Sequence, residues 1–171
     1  MTNLPLGIMS QKNDHSQPRA YFDLSAQEEV CGGGSILFIL DTHLFQIQMG
    51  LGGGTNNFVE LITTKQLIQF ALEKHCRNLQ LFGDSKIVCN WINKTSNSYS
   101  YTLRPILDEA HRLISIFDDF SCHHMYKEHN SLANLLSKEV AVRPHESWLI
   151  QEQRDGAQYQ YYHHPFMDHT I

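Results

Sequence analysis

At the centre of the sequence stands Leu79-Gln80-Leu81-Phe82-Gly83-Asp84-Ser85, a short apolar run that stops at a glycine and then presents an aspartate. The run predicts a buried strand, and a helical pattern begins directly after it. In open α/β sheets, ligands and chemistry lie just beyond the carboxyl ends of the strands. Asp84 therefore stands where a functional carboxylate is expected.

Three short runs upstream predict the strands of an antiparallel meander, because each is apolar or alternating and the last two are joined by a tight turn at Asp41-Thr42. Residues 25–29 are interpreted as a polar turn. The glycines Gly32, Gly33 and Gly34 are interpreted as bulge or turn glycines, since this run does not have the form of a phosphate loop. The three predicted strands are residues 20–24, 35–40 and 44–49.

Apolar residues at helical spacing predict four helices. The first, an amphipathic helix, begins near Asn56 and runs to about Lys74. A short helix follows Ser85, a longer one carries Pro105 in its first turn, and the last begins after Asn130. With a final strand at residues 120–126, the order β-β-β-α-β-α-α-β-α predicts an α/β fold with a five-stranded mixed sheet flanked by helices.

The length of 171 residues suits one domain with short extensions. Residues 1–17 are predicted to be a flexible lead-in, residues 18–142 the domain, and residues 143–171 an aromatic and histidine-rich C-terminal tail. Within that tail, Trp148 and the tyrosines are interpreted as packing residues or as part of a poorly ordered segment.

The net charge of −5 and the absence of a dense Lys/Arg patch indicate that any nucleic-acid binding is weak, local or metal-assisted. The four cysteines show no zinc-ligand spacing and are interpreted as reduced thiols. No signal peptide and no membrane-spanning run is evident in the sequence. We therefore expect a soluble intracellular monomer, nuclear or cytoplasmic, without membrane contact.

Taken singly, each candidate acid has an ordinary structural interpretation. Asp84-Ser85 before a helix is a common N-cap arrangement. Glu60 follows Asn57 by three residues, as in a capping box. Asp23 could simply be a polar residue at the end of a strand.

Four stretches in this order resemble the type 1 ribonuclease H family, in particular the ribonuclease H-like domains of plant retroelement-derived proteins. The resemblance covers about residues 18–140, and it is the ordered set rather than any single piece that is specific. The stretches are Tyr21-Phe22-Asp23, Gly53-Gly54-Thr55-Asn56-Asn57-Phe58-Val59-Glu60-Leu61, Phe82-Gly83-Asp84-Ser85-Lys86 and Tyr126-Lys127-Glu128-His129-Asn130-Ser131-Leu132-Ala133-Asn134-Leu135-Leu136-Ser137.

The resemblance implies metal-dependent hydrolysis of the RNA strand of RNA–DNA hybrids. Asp23, Glu60 and Asp84 match the family's catalytic carboxylates, which hold two Mg²⁺ ions, with Mn²⁺ as a substitute. Two divalent ions can activate a water and stabilise the departing oxygen of a phosphodiester. Mg²⁺ requires hard oxygen ligands, which Asp and Glu supply.

Two positions depart from the family pattern. Asn134 stands where the family has its fourth catalytic acid, and Leu24 stands where relatives carry glycine. An amide offers an oxygen but neither the charge nor the basicity of a carboxylate. The sequence therefore leaves three alternatives open: a nuclease of reduced activity, a catalytically impaired nucleic-acid-binding or scaffold remnant of a retroelement, and a domain that meets only protein partners.

The resemblance also implies a set of substrate-binding residues. Thr55, Asn56 and Asn57 match a segment that in the family touches the sugar-phosphate backbone of the hybrid, and Ser85, in the matching stretch Phe82-Gly83-Asp84-Ser85-Lys86, belongs to the same set. Short polar donors suit this role, because the 2′-hydroxyl distinguishes RNA from DNA.

Overall fold

The computed structural model describes residues 17–27, 30–51, 56–96, 101–125 and 148–163, which form a seven-stranded sheet and three helices. The predicted last helix, after Asn130, lies outside the described residues. The strands are β1 (Arg19–Gln27), β2 (Val30–Leu40), β3 (His43–Leu51), β4 (Asn78–Gly83), β5 (Asp119–His124), β6 (Trp148–Arg154) and β7 (Ala157–His163). The helices are α1 (Asn56–Glu73), α2 (Lys86–Ile92) and α3 (Leu103–Ile114).

The sheet is mixed, as predicted, and its order is β5-β4-β1-β2-β3-β6-β7. β4 runs parallel to both β1 and β5, whereas the other neighbouring pairs are antiparallel. The parallel pair β1–β4 is in register from Arg19 opposite Gln80 to Phe22 opposite Gly83. The strand β4 therefore lies inside the sheet, with a neighbouring strand on each side.

The predicted count of five strands was too low, because residues 148–163, assigned to the C-terminal tail, form β6 and β7. The two strands are joined by Asp155 and Gly156, whose φ angles of 52° and 84° are both positive. Such angles at both central residues are typical of a type I′ hairpin turn. β6 pairs antiparallel with β3, so this hairpin extends the sheet beyond the predicted meander.

The first hairpin is longer than predicted. β1 continues to Gln27 and β2 begins at Val30, so most of the predicted polar turn at residues 25–29 is strand. The bulge assigned to Gly32–Gly34 was wrong as well, because these glycines pair in continuous register with both β1 and β3. A strand with a neighbour on each side has little room for an extra residue.

α1 has the predicted extent, but it is not amphipathic. Its side chains are buried around most of the helix, because it packs on the sheet and against α3. A helix that is covered on most sides has no single apolar face. The buried residues are Val59, Leu61, Thr63, Thr64, Gln66, Leu67, Ile68, Phe70 and Ala71.

Both faces of the sheet bury apolar side chains. On β1, Ala20 and Phe22 belong to the core shared with the helices, whereas Tyr21 lies on the opposite face. The Tyr21 ring stacks on Phe82 with ring centroids 5.1 Å apart, and it meets Phe38 edge-on at 6.3 Å. The strands that carry the candidate acids are thus fixed from both sides.

None of the helices in the described part of the chain is both long and apolar enough to cross a membrane.

Candidate active site

Two candidate acids stand at neighbouring positions of the parallel strands β1 and β4, with Asp23 inside β1 and Asp84 directly after β4. The last paired residues of β1 and β4 are Phe22 and Gly83, and the next residues along the two strands are Asp23 and Asp84. Neighbouring strands lie about 4.8 Å apart. The backbone therefore brings Asp23 and Asp84 to the same edge of the sheet; the side chain of Asp23 lies outside the described residues.

Ser85 is the N-cap of α2. Its backbone is extended, with φ −92° and ψ 104°, and its Oγ accepts a hydrogen bond from the Val88 N–H at 3.3 Å. The capping interpretation of Asp84-Ser85 thus applies to the serine. Asp84, which is half-buried, stands one residue before the cap, between the end of β4 and the start of α2.

Glu60 is the fifth residue of α1, one turn into the helix. Asn57 lies inside the helix, so it is not the N-cap that a capping box with Glu60 requires. The Glu60 carbonyl accepts a hydrogen bond from Thr64 Oγ1 at 2.7 Å, and the residue is half-buried. The capping-box interpretation of Glu60 therefore does not fit the helix.

The charges of Glu60 and Asp84 both act on the thiol of Cys89. A hydrogen bond with the Cys122 thiol lowers the pKa of Cys89, whereas burial and the charges of Asp84 and Glu60 raise that pKa. Since the interaction between charges falls with distance, both carboxylates lie in the neighbourhood of this buried thiol. The helix α1 and the loop after β4 thus each carry an acid whose charge acts on this thiol.

Cys122 is the partner of Cys89 in this region. It lies in β5, and its hydrogen bond with Cys89, together with burial, raises the pKa of the Cys122 thiol. From the sequence, the cysteines are predicted only to be reduced thiols. The available signal was the position of Cys89, four residues after Ser85 among the apolar residues of α2.

The remaining predicted site residues are only partly described. Thr55 and Asn134 lie outside the described residues, as do the side chains of Asn56 and Leu24. Asn57 is half-buried near the start of α1. The register of β1 and β4 places the backbones of Asp23 and Asp84 side by side, whereas the roles of Glu60 and Asn134 stay predictions.

The chemistry of the described donors suits a hard cation. Carboxylate oxygens, such as those of Glu60 and Asp84, are the ligands that Mg²⁺ and Mn²⁺ prefer. Within the ranges that the structure describes, no three His, Cys, Asp or Glu side chains gather into a metal site. Asp23, the third predicted carboxylate, was not part of that set, because its side chain is not described.

Comparison with models of known protein families identifies the family of this chain. The sequence matches the model of the reverse transcriptase-like family over residues 41–140, which is more than half of the chain. The chain belongs to the reverse transcriptase-like family. The matched segment includes Glu60, Asp84 and Asn134. A comparison of this family member with curated proteins gave no match.

Solved structures similar to this member of the reverse transcriptase-like family are ribonucleases H, which confirms the predicted fold. RNase H1 from the halophilic archaeon Halobacterium salinarum has a TM-score of 0.66 and 24% identity, with 72% of this chain and 96% of that chain covered. The N-terminal RNase H domain of a Mycobacterium tuberculosis protein, crystallised as a fusion with maltose-binding protein, has a TM-score of 0.64 and 16% identity, with 73% and 93% covered.

A third similar structure is that of LC11-RNase H1, determined in complex with an RNA/DNA hybrid. Its TM-score is 0.65 and its identity 15%, with 73% of this chain and 96% of that chain covered. At these identities the likeness concerns the fold alone. The ribonuclease H-like α/β fold expected from the sequence is therefore the fold of this chain.

Proposed function

We propose that this chain is a metal-dependent nuclease that hydrolyses the RNA strand of RNA–DNA hybrids, with Asp23, Glu60 and Asp84 as catalytic metal ligands. The observation that carries the proposal is the parallel register of β1 and β4, in which Asp23 and Asp84 are the residues that follow the pair Phe22 and Gly83. The ribonuclease H-like fold supports it, and so does the hybrid bound to LC11-RNase H1.

The proposed cofactor is a pair of Mg²⁺ ions, for which Mn²⁺ can substitute. When bound, such ions activate a water and stabilise the departing oxygen of the phosphodiester. The contribution of the chain is to hold oxygen ligands on rigid elements. Asp84 follows a strand with neighbours on both sides, and Glu60 stands on a helix that is buried around most of its surface.

We further propose that Thr55, Asn56, Asn57 and Ser85 contact the sugar-phosphate backbone of the hybrid. Ser85 Oγ accepts a hydrogen bond from the Val88 N–H, which leaves the hydroxyl proton of the serine free for donation. A hydroxyl one residue after a metal ligand is well placed to donate to a phosphate or a 2′-hydroxyl oxygen.

Asn134 is proposed to occupy the fourth position of the site with an amide. Without the charge of a carboxylate, this position binds a divalent cation less strongly, so the expected activity is below that of a relative with all four acids. The proposed setting is a retroelement-derived protein of a plant that acts inside the cell.

The second candidate function is hybrid binding without turnover. Asn134 and the net charge of −5 favour it, because the first weakens catalysis and the second weakens contact with phosphates. Under this alternative the fold persists as a nucleic-acid-binding remnant. The candidate acids then have a structural role and do not take part in catalysis.

A hybrid with a labelled RNA strand, incubated with purified chain and Mg²⁺ or Mn²⁺, separates these functions. Cleavage of the RNA strand that requires the metal supports the nuclease. Retention of the hybrid at low salt without cleavage supports the binding remnant. Neither binding nor cleavage at low salt, where phosphate contacts are strongest, contradicts both and leaves a domain that meets protein partners.

A further inference from the structure

The added hairpin leaves β7 at one end of the sheet. Among the described strands, β6 is the only neighbour of β7. Most side chains of β7 are open to solvent, with Tyr159 47% and Tyr162 61% exposed, whereas Tyr161 is half-buried. The backbone groups on the outer side of β7 are therefore available for a further strand.

The register of the hairpin identifies these outward groups. The two-residue turn at Asp155 and Gly156 makes Arg154 and Ala157 a hydrogen-bonded pair, and such pairs alternate along an antiparallel ladder. Every second residue of β7 therefore bonds to β6, and the residues between them direct their N–H and C=O groups away from it. The outward residues are Gln158, Gln160 and Tyr162.

β7 lacks the features by which proteins usually protect an edge strand. It contains no proline, no lysine and no other residue charged at neutral pH, and its register with β6 is unbroken from Ala157 to His163. The nearest charged side chains in the sequence, Arg154 and Asp155, belong to the end of β6 and the turn. A second neutral strand can therefore approach without charge repulsion.

Glutamines form a row across the last three strands and reach this edge. Gln46 of β3 is opposite Gln151 of β6, which is opposite Gln160 of β7. Gln151 Nε2 donates to Gln160 Oε1 at 3.4 Å, and Gln153 and Gln158 form a second cross-strand pair beside them. Rows of glutamine side chains stabilise strands that stack in register.

We propose that β7 pairs antiparallel with β7 of a second copy of this chain, around a two-fold axis at Gln160, so that the two sheets become one. In this pairing Gln160 lies opposite Gln160 of the second copy, and Gln158 lies opposite Tyr162. The outward N–H and C=O groups of all three residues are then paired. The dimer replaces the monomer expected from the sequence.

A second copy fits this edge because the strand is complementary to itself. A two-fold contact uses the same surface on both subunits, so the glutamine row that ends at Gln160 continues into the row of the second copy. On the other face of the strand, Tyr159 comes opposite Tyr161 of the second copy, and aromatic cross-strand pairs are stabilising. No pair of like charges is created within the paired segment.

The hairpin is held firmly enough to offer a fixed edge. Lys74 Nζ lies 5.2 Å from the ring centroids of both Phe45 and Phe70 and 5.6 Å from that of Tyr161. These contacts tie β7 to β3 and to the end of α1. A strand that is already ordered loses little conformational entropy when it pairs.

Sedimentation velocity of the full chain, from micromolar to millimolar concentration, tests the dimer. The wild-type chain is expected to form dimers as the concentration rises. Gln160→Lys places two like charges side by side at the axis, and it is expected to raise the dissociation constant of the dimer about fivefold. Gln160→Pro removes the outward N–H from both copies and is expected to give only monomer. Near-ultraviolet circular dichroism verifies that each variant is folded.

Gln151→Lys is the matched control, because it adds the same charge on the same face one strand further in. The two lysines would then stand about 14 Å apart, three strand spacings, which exceeds the Debye length in physiological salt. A mixture of Gln160→Lys and Gln160→Glu chains is expected to form mixed dimers more tightly than either variant alone. A wild-type chain that stays monomeric, equal weakening by both lysine variants, or no preference for the mixed dimer would overturn the proposal.

Discussion

The ring of Phe22 lies over Gly83 at the point where β1 and β4 run side by side. A Cβ atom built on Gly83 would overlap Cζ and Cε1 of that ring. Phe22 is only 1% exposed, so the ring has little space into which it could move. Asp23 and Asp84 directly follow this pair, so the contact lies beside the two acid-bearing positions.

Gly83→Ala is therefore expected to destabilise the protein. The added methyl group must displace a buried aromatic ring, and overpacking of this kind typically costs about 1–3 kcal/mol. The free energy of unfolding from urea titration measures the effect. Gly156→Ala is the control, since its φ of +84° gives backbone strain while no atom lies within 4 Å of the new Cβ.

The same contact can be isolated by a double-mutant cycle. In a Phe22→Leu background the smaller side chain leaves room at Gly83, so the alanine should then destabilise less than it does in the wild type. Equal losses in the two backgrounds would show that the Phe22 ring is not what excludes a side chain from this position.

Lys74→Met is expected to loosen the β6–β7 hairpin. The substitution keeps an apolar side chain but removes the charge that lies near the Phe45, Phe70 and Tyr161 rings, an interaction worth about 1 kcal/mol. Urea titration and hydrogen exchange of the β7 amides report the change. Lys65→Met, at a half-buried lysine inside α1, is the control, and equal effects of both substitutions would contradict a specific role of Lys74.

Stability should fall at high pH because of Tyr161. Burial, with a smaller effect of the Glu152 charge, raises the pKa of Tyr161 from 10.0 to about 12. The folded state thus favours the neutral phenol, and this contribution is complete below the unfolded pKa and is lost as the pH rises from about 10 to about 12. Tyr161→Phe should flatten the decline in unfolding free energy over that range, and an unchanged slope would contradict the assignment.

The thiol of Cys76 adds a contribution of the same sign. Burial raises its pKa from 9.0 to about 12, so the folded state favours the neutral thiol and loses this advantage as the pH rises through that interval. Cys76→Ala in the Tyr161→Phe background separates the two groups in the same pH titration.

The order of the first five strands and the first three helices could be predicted because local patterns and tertiary packing agree there. The run from Leu79 to Gly83 is apolar, short and bounded by a glycine, and it forms a strand with neighbours on both sides. The predicted amphipathic character of α1 failed, since apolar spacing alone does not reveal how many neighbours will cover a helix.

The β6–β7 hairpin was missed although a signal was present. Asp155-Gly156 is a favoured type I′ turn dipeptide, and it separates the apolar run Trp148-Leu149-Ile150 from an alternation of glutamine and tyrosine. The polar face of this alternation suggested a tail. It forms a strand because Tyr161 packs against the core while the glutamines face solvent or each other.

The candidate site residues could be predicted only where the resemblance to the ribonuclease H family identified them. Neither the spacing of Glu60 nor that of Asp84 predicts that both charges act on one thiol, since 24 residues separate the two and their positions depend on how α1 packs across the sheet. Cys89, which lies near both, has no motif of its own. Its role as a neighbour of the acids is visible only in three dimensions.

Asn134→Asp is expected to raise Mg²⁺-dependent hybrid cleavage about tenfold, equivalent to ~1.4 kcal/mol of transition-state stabilisation, because it restores a charged oxygen ligand. Asn134→Gln, which keeps a neutral amide, is the control and should give no increase. Initial rates at saturating hybrid measure both variants. A rate for Asn134→Asp equal to that of the wild type would contradict the place given to this residue.

The most direct test of the proposed site is cleavage of one RNA-labelled hybrid by the wild-type chain, by Asp84→Asn and by the matched variant Asp108→Asn, whose aspartate is exposed on α3. The wild type and Asp108→Asn should cleave the RNA strand at equal rates with Mg²⁺ or Mn²⁺. Asp84→Asn should remain folded and lose about 100-fold in rate or more. Equal cleavage by Asp84→Asn, or no cleavage by the wild type with either ion at high protein concentration, would contradict the proposed nuclease.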